Sequence, residues 1–178
     1  MYFVDAAHFV LAPYLAFLWS FVRVFIKAPS GRQRFNVLGA LNANSYQLVS
    51  VNNDSHINAD SVCELMKKLR VLHGEQDISL ILDNARYQKC QLVWTKAEQL
   101  NIDLVYLPSY SPNLNLIERL WKFVKKTCLN SSYYGSFDEF KEAINSCLSQ
   151  THTTHKKELS TLLAHNFQTF ENSNIMVL

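Results

Sequence analysis

The stretch Ile78-Ser79-Leu80-Ile81-Leu82-Asp83 decides the fold. It is mostly apolar and too short for a helix, so it reads as a strand buried in a parallel sheet. A carboxylate ends it. Packing gives no reason for an acid there, whereas ligands of α/β sheets collect at the carboxyl ends of parallel strands. A second acid, Asp5, ends the apolar run Tyr2-Phe3-Val4. Its strand is expected to span Met1 to Val10.

Working outward, Phe35 to Leu41 and Tyr46 to Val51 read as two strands of a hairpin around Asn42-Ala43-Asn44-Ser45. Ala59 to His73 carries Val62, Leu65, Met66, Leu69 and Leu72 at helix spacing, with Asn58 or Asp60 as the cap. Cys90 to Leu100 is a second helix and Ile102 to Leu107 another buried strand. The segment Pro108-Ser109-Tyr110-Ser111-Pro112-Asn113 stops that strand. It sets up a helix from about Leu114 to Leu129, with Ser111 as cap and Pro112 at the first helical position. A further helix runs from near Asp138 to near Gln150. Leu159, Leu162, Leu163 and Phe167 mark a last one. A strand meander followed by alternating helix and strand gives an α/β sheet of mixed strand direction.

At 178 residues, with 48% of them hydrophobic and 18% charged, the chain is one globular domain and not a disordered segment. A net charge of +2 permits a nucleic-acid partner without predicting one. Cys63, Cys90, Cys128 and Cys147 have no paired spacing and read as thiols in a reducing compartment. Residues Phe9 to Ile26 are strongly apolar, but Pro13, Ser20 and Arg23 interrupt them and Asp5 precedes them. They read as a strand end and a core-packing segment, with no membrane partner. His152 and His155 in the polar stretch, and the pairs Lys67-Lys68 and Lys156-Lys157, read as solvated.

Along the helix from Leu114, one apolar stripe contains Leu114, Ile117, Trp121, Val124 and Cys128. Glu118 falls at its border, with Lys122 and Lys125 on the same side and Arg119 turned further away. Glu118 has two readings: a surface pair with Lys122, or a third acid beside Asp5 and Asp83. Three carboxylates without histidine or cysteine suit Mg²⁺ or Mn²⁺. Two such ions support in-line displacement at phosphorus, and nearby basic residues would hold DNA phosphates.

Three segments carry a resemblance: Phe3-Val4-Asp5-Ala6-Ala7-His8-Phe9, Leu82-Asp83-Asn84-Ala85-Arg86-Tyr87-Gln88, and Ser111-Pro112-Asn113-Leu114-Asn115-Leu116-Ile117-Glu118-Arg119-Leu120-Trp121. Together they resemble the DDE transposases of the mariner-type superfamily, in its bacterial insertion-sequence branch. Position 116 is Leu where many members have Pro. The resemblance implies a ribonuclease-H-like fold, a mixed five-stranded sheet flanked by helices. It also implies two Mg²⁺ or Mn²⁺ ions per site, cleavage at transposon ends and strand transfer into target DNA. Asp5 would bridge both ions, and Asp83 and Glu118 would each hold one. Asn84 would orient the Asp83 loop, and His8 and Tyr87 would line the cleft, although His8 reads equally as a core histidine. Arg32, Arg34, Arg119, Lys122 and Lys125 would contact DNA.

The expected organisation is a catalytic domain over residues 1–150 with a helical tail over 151–178. The family's amino-terminal helix-turn-helix region is expected to be absent. The expected partners are DNA and either a second copy or a separate N-terminal half, in the bacterial cytoplasm at the nucleoid. A catalytically inactive fragment that binds DNA or a full-length transposase is the alternative. A generic ribonuclease-H-like nuclease fits the acids but not the segment from Ser111 to Trp121.

Overall fold

The computed structural model describes residues 1–11, 21–22, 33–108, 112–130 and 132–164. Among these residues five strands form one sheet: β1 (Tyr2–Val10), β2 (Arg34–Asn42), β3 (Leu48–Asn53), β4 (Ile78–Leu82) and β5 (Ile102–Tyr106). Their order is β3-β2-β1-β4-β5. β1 pairs antiparallel with β2 and parallel with β4, which pairs parallel with β5. The helices are α1 (Ala59–His73), α2 (Gln91–Gln99), α3 (Ile117–Val124), α4 (Phe137–Ser149) and α5 (Lys156–Leu162).

Alternation along the strands divides the core in two. Tyr2, Val4, Leu38, Ala40, Leu80 and Leu82 face α1 and α2, where Val62, Leu65, Met66, Leu69, Val93 and Ala97 close over them. Phe3, Ala7, Phe9, Val37 and Leu41 face the other way and meet Ile117, Leu120, Trp121 and Val124 of α3, with α4 and α5 behind. α3 lies over β1 and β2. On that same face β4 and β5 are less covered: Ile81 is half-buried, and Asp103 and Val105 are exposed. Asp5 therefore stands at the margin of a covered area.

Several local expectations shift. The strand expected from Tyr46 begins at Leu48. Asn42 Oδ1 accepts from the Asn44 and Ser45 amides, and Tyr46 takes a positive φ of 61° that ends the turn. Asn58 caps α1 and forms a reciprocal box with Ser61. Leu72 is not in the buried stripe but exposed near the end of that helix. The helix expected from Leu114 arrives in two pieces, a 3₁₀ turn at Pro112–Leu114 and then α3 from Ile117, with no side-chain cap. Ser111 lies outside the described residues. After Val124 the chain continues as a π-helix, Lys125–Leu129. Its wider turn rotates the register, so Leu129 is buried where the 3.6-residue period had placed Cys128.

His155 is not simply solvated, because its ring meets Phe123 edge-on at 5.1 Å. Leu159 and Leu163 enter the α3-side core. Most of Phe9 to Ile26 lies outside the described residues, Phe9 and Val10 being part of β1. Among the described residues no helix is long and apolar enough to cross a membrane.

Candidate active site

Asp5 sits midway along β1, not at its end as the apolar run implied. The β1–β4 pairing stops at Val4↔Leu82, while β1 continues along β2 to Val10. Asp83 is the first residue after β4. The two acids therefore flank the point where the central parallel pair opens, in the interior of the sheet and not along one of its edges. Glu118 is the second residue of α3, which crosses above.

Asp5 senses the other two carboxylates. Burial first, then the charge of Glu118 and that of Asp83, push the Asp5 carboxyl up to about 7. Two hydrogen bonds favour its charged form, from the Ala6 backbone and from Trp121. The Trp121 indole Nε1–H donates to Asp5 Oδ2 at 2.9 Å. Trp121 reaches that spot because Gly39, the register partner of Asp5, has no Cβ. A Cβ there would lie 2.7 Å from Trp121 Cη2 and 3.0 Å from Ile117 Cδ1.

Asp83 is held from the same side. Asn115 is fully buried, and its Nδ2 donates to Asp83 Oδ1 at 3.3 Å and to the Val4 carbonyl at 3.1 Å. Asn84 turns elsewhere. Its Nδ2 donates to the Leu107 carbonyl at 2.6 Å and its Oδ1 accepts from Lys89 Nζ at 3.4 Å. Asn84 thus pins the loop after β4 to the end of β5. Tyr87 is half-buried, and burial followed by the charges of Asp5 and Asp83 pushes its hydroxyl up to about 12. It stays protonated within reach of both acids' fields.

His8 falls on the other side of the sheet. It alternates with Asp5, and its Nδ1 meets Oδ1 of buried Asn36 at 2.6 Å. Asn36 Nδ2 in turn donates to Asn53 Oδ1 and the Ser55 carbonyl. His8 therefore belongs to a polar cluster on the α1 face and does not line the cleft.

The basic residues separate too. Arg119 is committed to structure, since its Nη1 donates to the Leu162 carbonyl at 3.1 Å and the Ala164 carbonyl at 2.8 Å. One end of its guanidinium is thereby tied to the chain after α5. Lys122 and Lys125 are exposed, and no ion pair joins Lys122 to Glu118. Arg34 is exposed at the start of β2, while Arg32 lies outside the described residues.

The donor set consists of carboxylate oxygens, which suits a hard divalent cation. Among the described residues no three His, Cys, Asp or Glu side chains already form a ligand cluster. Asn115 Oδ1 is a further buried oxygen without a hydrogen-bond partner. Oxygen donors and concentrated negative charge together fit Mg²⁺ or Mn²⁺.

A profile of the DDE superfamily endonucleases matches residues 1–141. The chain belongs to this family. Solved structures agree on the fold. The Mos1 strand transfer complex aligns with a TM-score of 0.65 at 15% identity, over 94% of this chain and 55% of that chain. The Mos1 mariner paired-end complex with Mn gives 0.61 at 15% identity, over 94% and 56%. The Mos1 transposase catalytic domain with raltegravir and Mg gives 0.55 at 12% identity, over 94% and 85%. No curated protein matches. The DDE endonuclease described here has the ribonuclease-H-like fold of transposase catalytic domains, and it spans about half the length of the Mos1 transposase chains in their DNA complexes.

In this DDE endonuclease three features escaped the sequence reading: the Asn115 amide, the Trp121 indole N–H and the missing Cβ of Gly39. A polar residue between Leu114 and Leu116, both apolar, was the one available signal for Asn115.

Proposed function

We propose that this DDE endonuclease is the catalytic domain of a DNA transposase. It cuts DNA strands at transposon ends and joins them to target DNA, with Asp5, Asp83 and Glu118 as the catalytic, metal-holding acids. The observation that carries this reading is the approach of three carboxylates from separate segments, β1, the end of β4 and α3, to the opening of the central strand pair. Two divalent ions, Mg²⁺ or Mn²⁺, would activate an attacking oxygen and stabilise the leaving one. In support, structures of Mos1 transposase include Mn and Mg complexes.

The protein's own residues supply placement. Trp121 holds one oxygen of Asp5, and Asn115 one oxygen of Asp83. Glu118 follows from its place in the first turn of α3, and Tyr87 keeps a neutral hydroxyl near the acids. Lys122 on the helix that carries Glu118 and Lys125 just after it, both exposed, contact DNA phosphates; Arg34 does so from the start of β2, and Arg32, two positions earlier in the sequence, is assigned the same role. The protein's partners are DNA, at transposon ends and target, and either a second copy or a separate N-terminal half. Four free thiols suit the reducing bacterial cytoplasm, where the nucleoid lies.

The test is nicking and strand transfer on DNA carrying the element's ends, with the end-binding partner present and Mn²⁺ added. Asp5→Ala, Asp83→Ala and Glu118→Ala should each lower the rate by on the order of 10³-fold or more, the scale of losing one electrostatic stabiliser. Undiminished cleavage by folded Asp83→Ala would sink the assignment.

A further inference from the structure

One buried residue touches all three segments of the site, two through its side chain and the third through its backbone. Asn115 donates from Nδ2 to the Val4 carbonyl, one residue before Asp5, and to Asp83 Oδ1. Its own backbone carbonyl accepts from the Glu118 amide at 3.2 Å, in the first turn of α3. It is completely excluded from solvent. The amide enters where β1 and β4 part company, at the register Val4↔Leu82.

We propose that Asn115 is the positioning residue of this site: it locks the Asp83 carboxylate to the β1 backbone and seats the helix that carries Glu118. This rests on the reading of the three acids as the metal-holding set. The chemistry explains why the residue is an asparagine. The position calls for two N–H donors on one short, uncharged side chain. Serine offers one donor, leucine none, and aspartate would set a fourth carboxylate against Asp83. The amide orientation follows from its partners. Reversed, Oδ1 would face the Val4 carbonyl and the Asp83 carboxylate, both acceptors. The fold instead leaves Oδ1 buried without a hydrogen-bond partner. Such an orphaned acceptor is destabilising, so the two donated bonds fix the residue's identity. Because Asn115 holds Oδ1 of Asp83, Oδ2 is the oxygen it leaves for a cation.

Two measurements on the full chain test this. The first is Mn²⁺ affinity by electron paramagnetic resonance, with the metal alone. Asn115→Leu, which keeps the volume, should weaken binding about 10- to 100-fold, the range for residues that orient metal ligands. Asn115→Ser, with one donor left, should fall between it and wild type. Leu129→Ala, a core change in the π-helix, should lower the melting temperature and leave Mn²⁺ affinity unchanged. Wild-type affinity in folded Asn115→Leu or Asn115→Ser overturns the proposal.

The second is solvent exchange of the Asn115 side-chain amide by NMR without metal. It should be slow in wild type and clearly faster in Asp83→Ala. Equal exchange in the two overturns the tie even if metal binds. If wild type binds no Mn²⁺, the metal reading and the positioning role fall together, while exchange still shows whether the tie exists.

Discussion

Val4 and Asp5 are neighbours in β1 and belong to opposite faces of one sheet. Val4 is fully buried among Leu38, Leu80, Leu82 and Met66, under two helices. Asp5 lies among Phe3, Ala7 and Phe9 at the edge of what α3 covers, with an indole on one oxygen and two acids nearby. One face is built to stay shut. The other holds a carboxylate in surroundings that resist its charge. The fold carries that cost on the face where β4 and β5 are left partly open, and the sealed face supplies stability in return.

The largest break in this comparison comes from neutralising Asp5. Its carboxyl is raised from 3.8 to about 7 by burial, Glu118 and Asp83. Below pH 3.8 both folded and unfolded chains hold the proton. Between 3.8 and about 7 the unfolded chain releases it and the native state keeps it, so wild-type stability falls as pH rises through that window. Above about 7 the penalty is complete. Asp5→Asn lacks it, and its Oδ1 still accepts from Trp121. At pH 8 without metal the variant should be more stable, by on the order of 4 kcal/mol, at ~1.4 kcal/mol for each tenfold change in proton affinity. Saturating Mn²⁺ should reverse the order, because only the wild type gains binding energy. Urea melts at pH 4 and pH 8, with and without the metal, measure both effects.

On the sealed face the effect is smaller and has no pH dependence of this kind. Leu80→Ala should cost about 3 kcal/mol, as a buried leucine deletion does, equally at pH 4 and pH 8. A strong pH dependence of that cost would mean that the two faces are not independent.

The smallest expected change joins the faces at Gly39. A Cβ there presses on rigid Trp121. Gly39→Ala should cost about 1–3 kcal/mol through overpacking. It should also disturb the indole–Asp5 bond, which the fluorescence of Trp121 would report against a background from the other tryptophans. An unchanged spectrum and melt would show that α3 can shift without loss.

Much of this architecture was legible in the chain. Apolar runs and turn residues placed all five strands within a few residues, since those signals are local. The acids stood out because each interrupts an apolar pattern. What escaped depends on contacts between distant segments. Trp121 reads as one more apolar position in a helical stripe, and no period shows that its N–H meets a residue 116 positions away. The carbonyl partners of Arg119 are likewise invisible until the chain folds. His8 shares a strand with Asp5, and only the strict alternation of the structure turns it to the other side. The π-turn after Val124 is a change of period within a helix, which a fixed period of 3.6 misses by construction of the rule itself.

The Arg119 contact has a consequence in time. A polypeptide grows from its amino end. Asp5 and Asp83 emerge early, and Glu118 follows. The two carbonyls that Arg119 takes, however, belong to residues made 43 and 45 positions after it. The turn of helix next to Glu118 is therefore latched only once that stretch has left the ribosome. The candidate third acid thus gains its support some 45 residues after Arg119 is made, later than its own place in the chain would suggest.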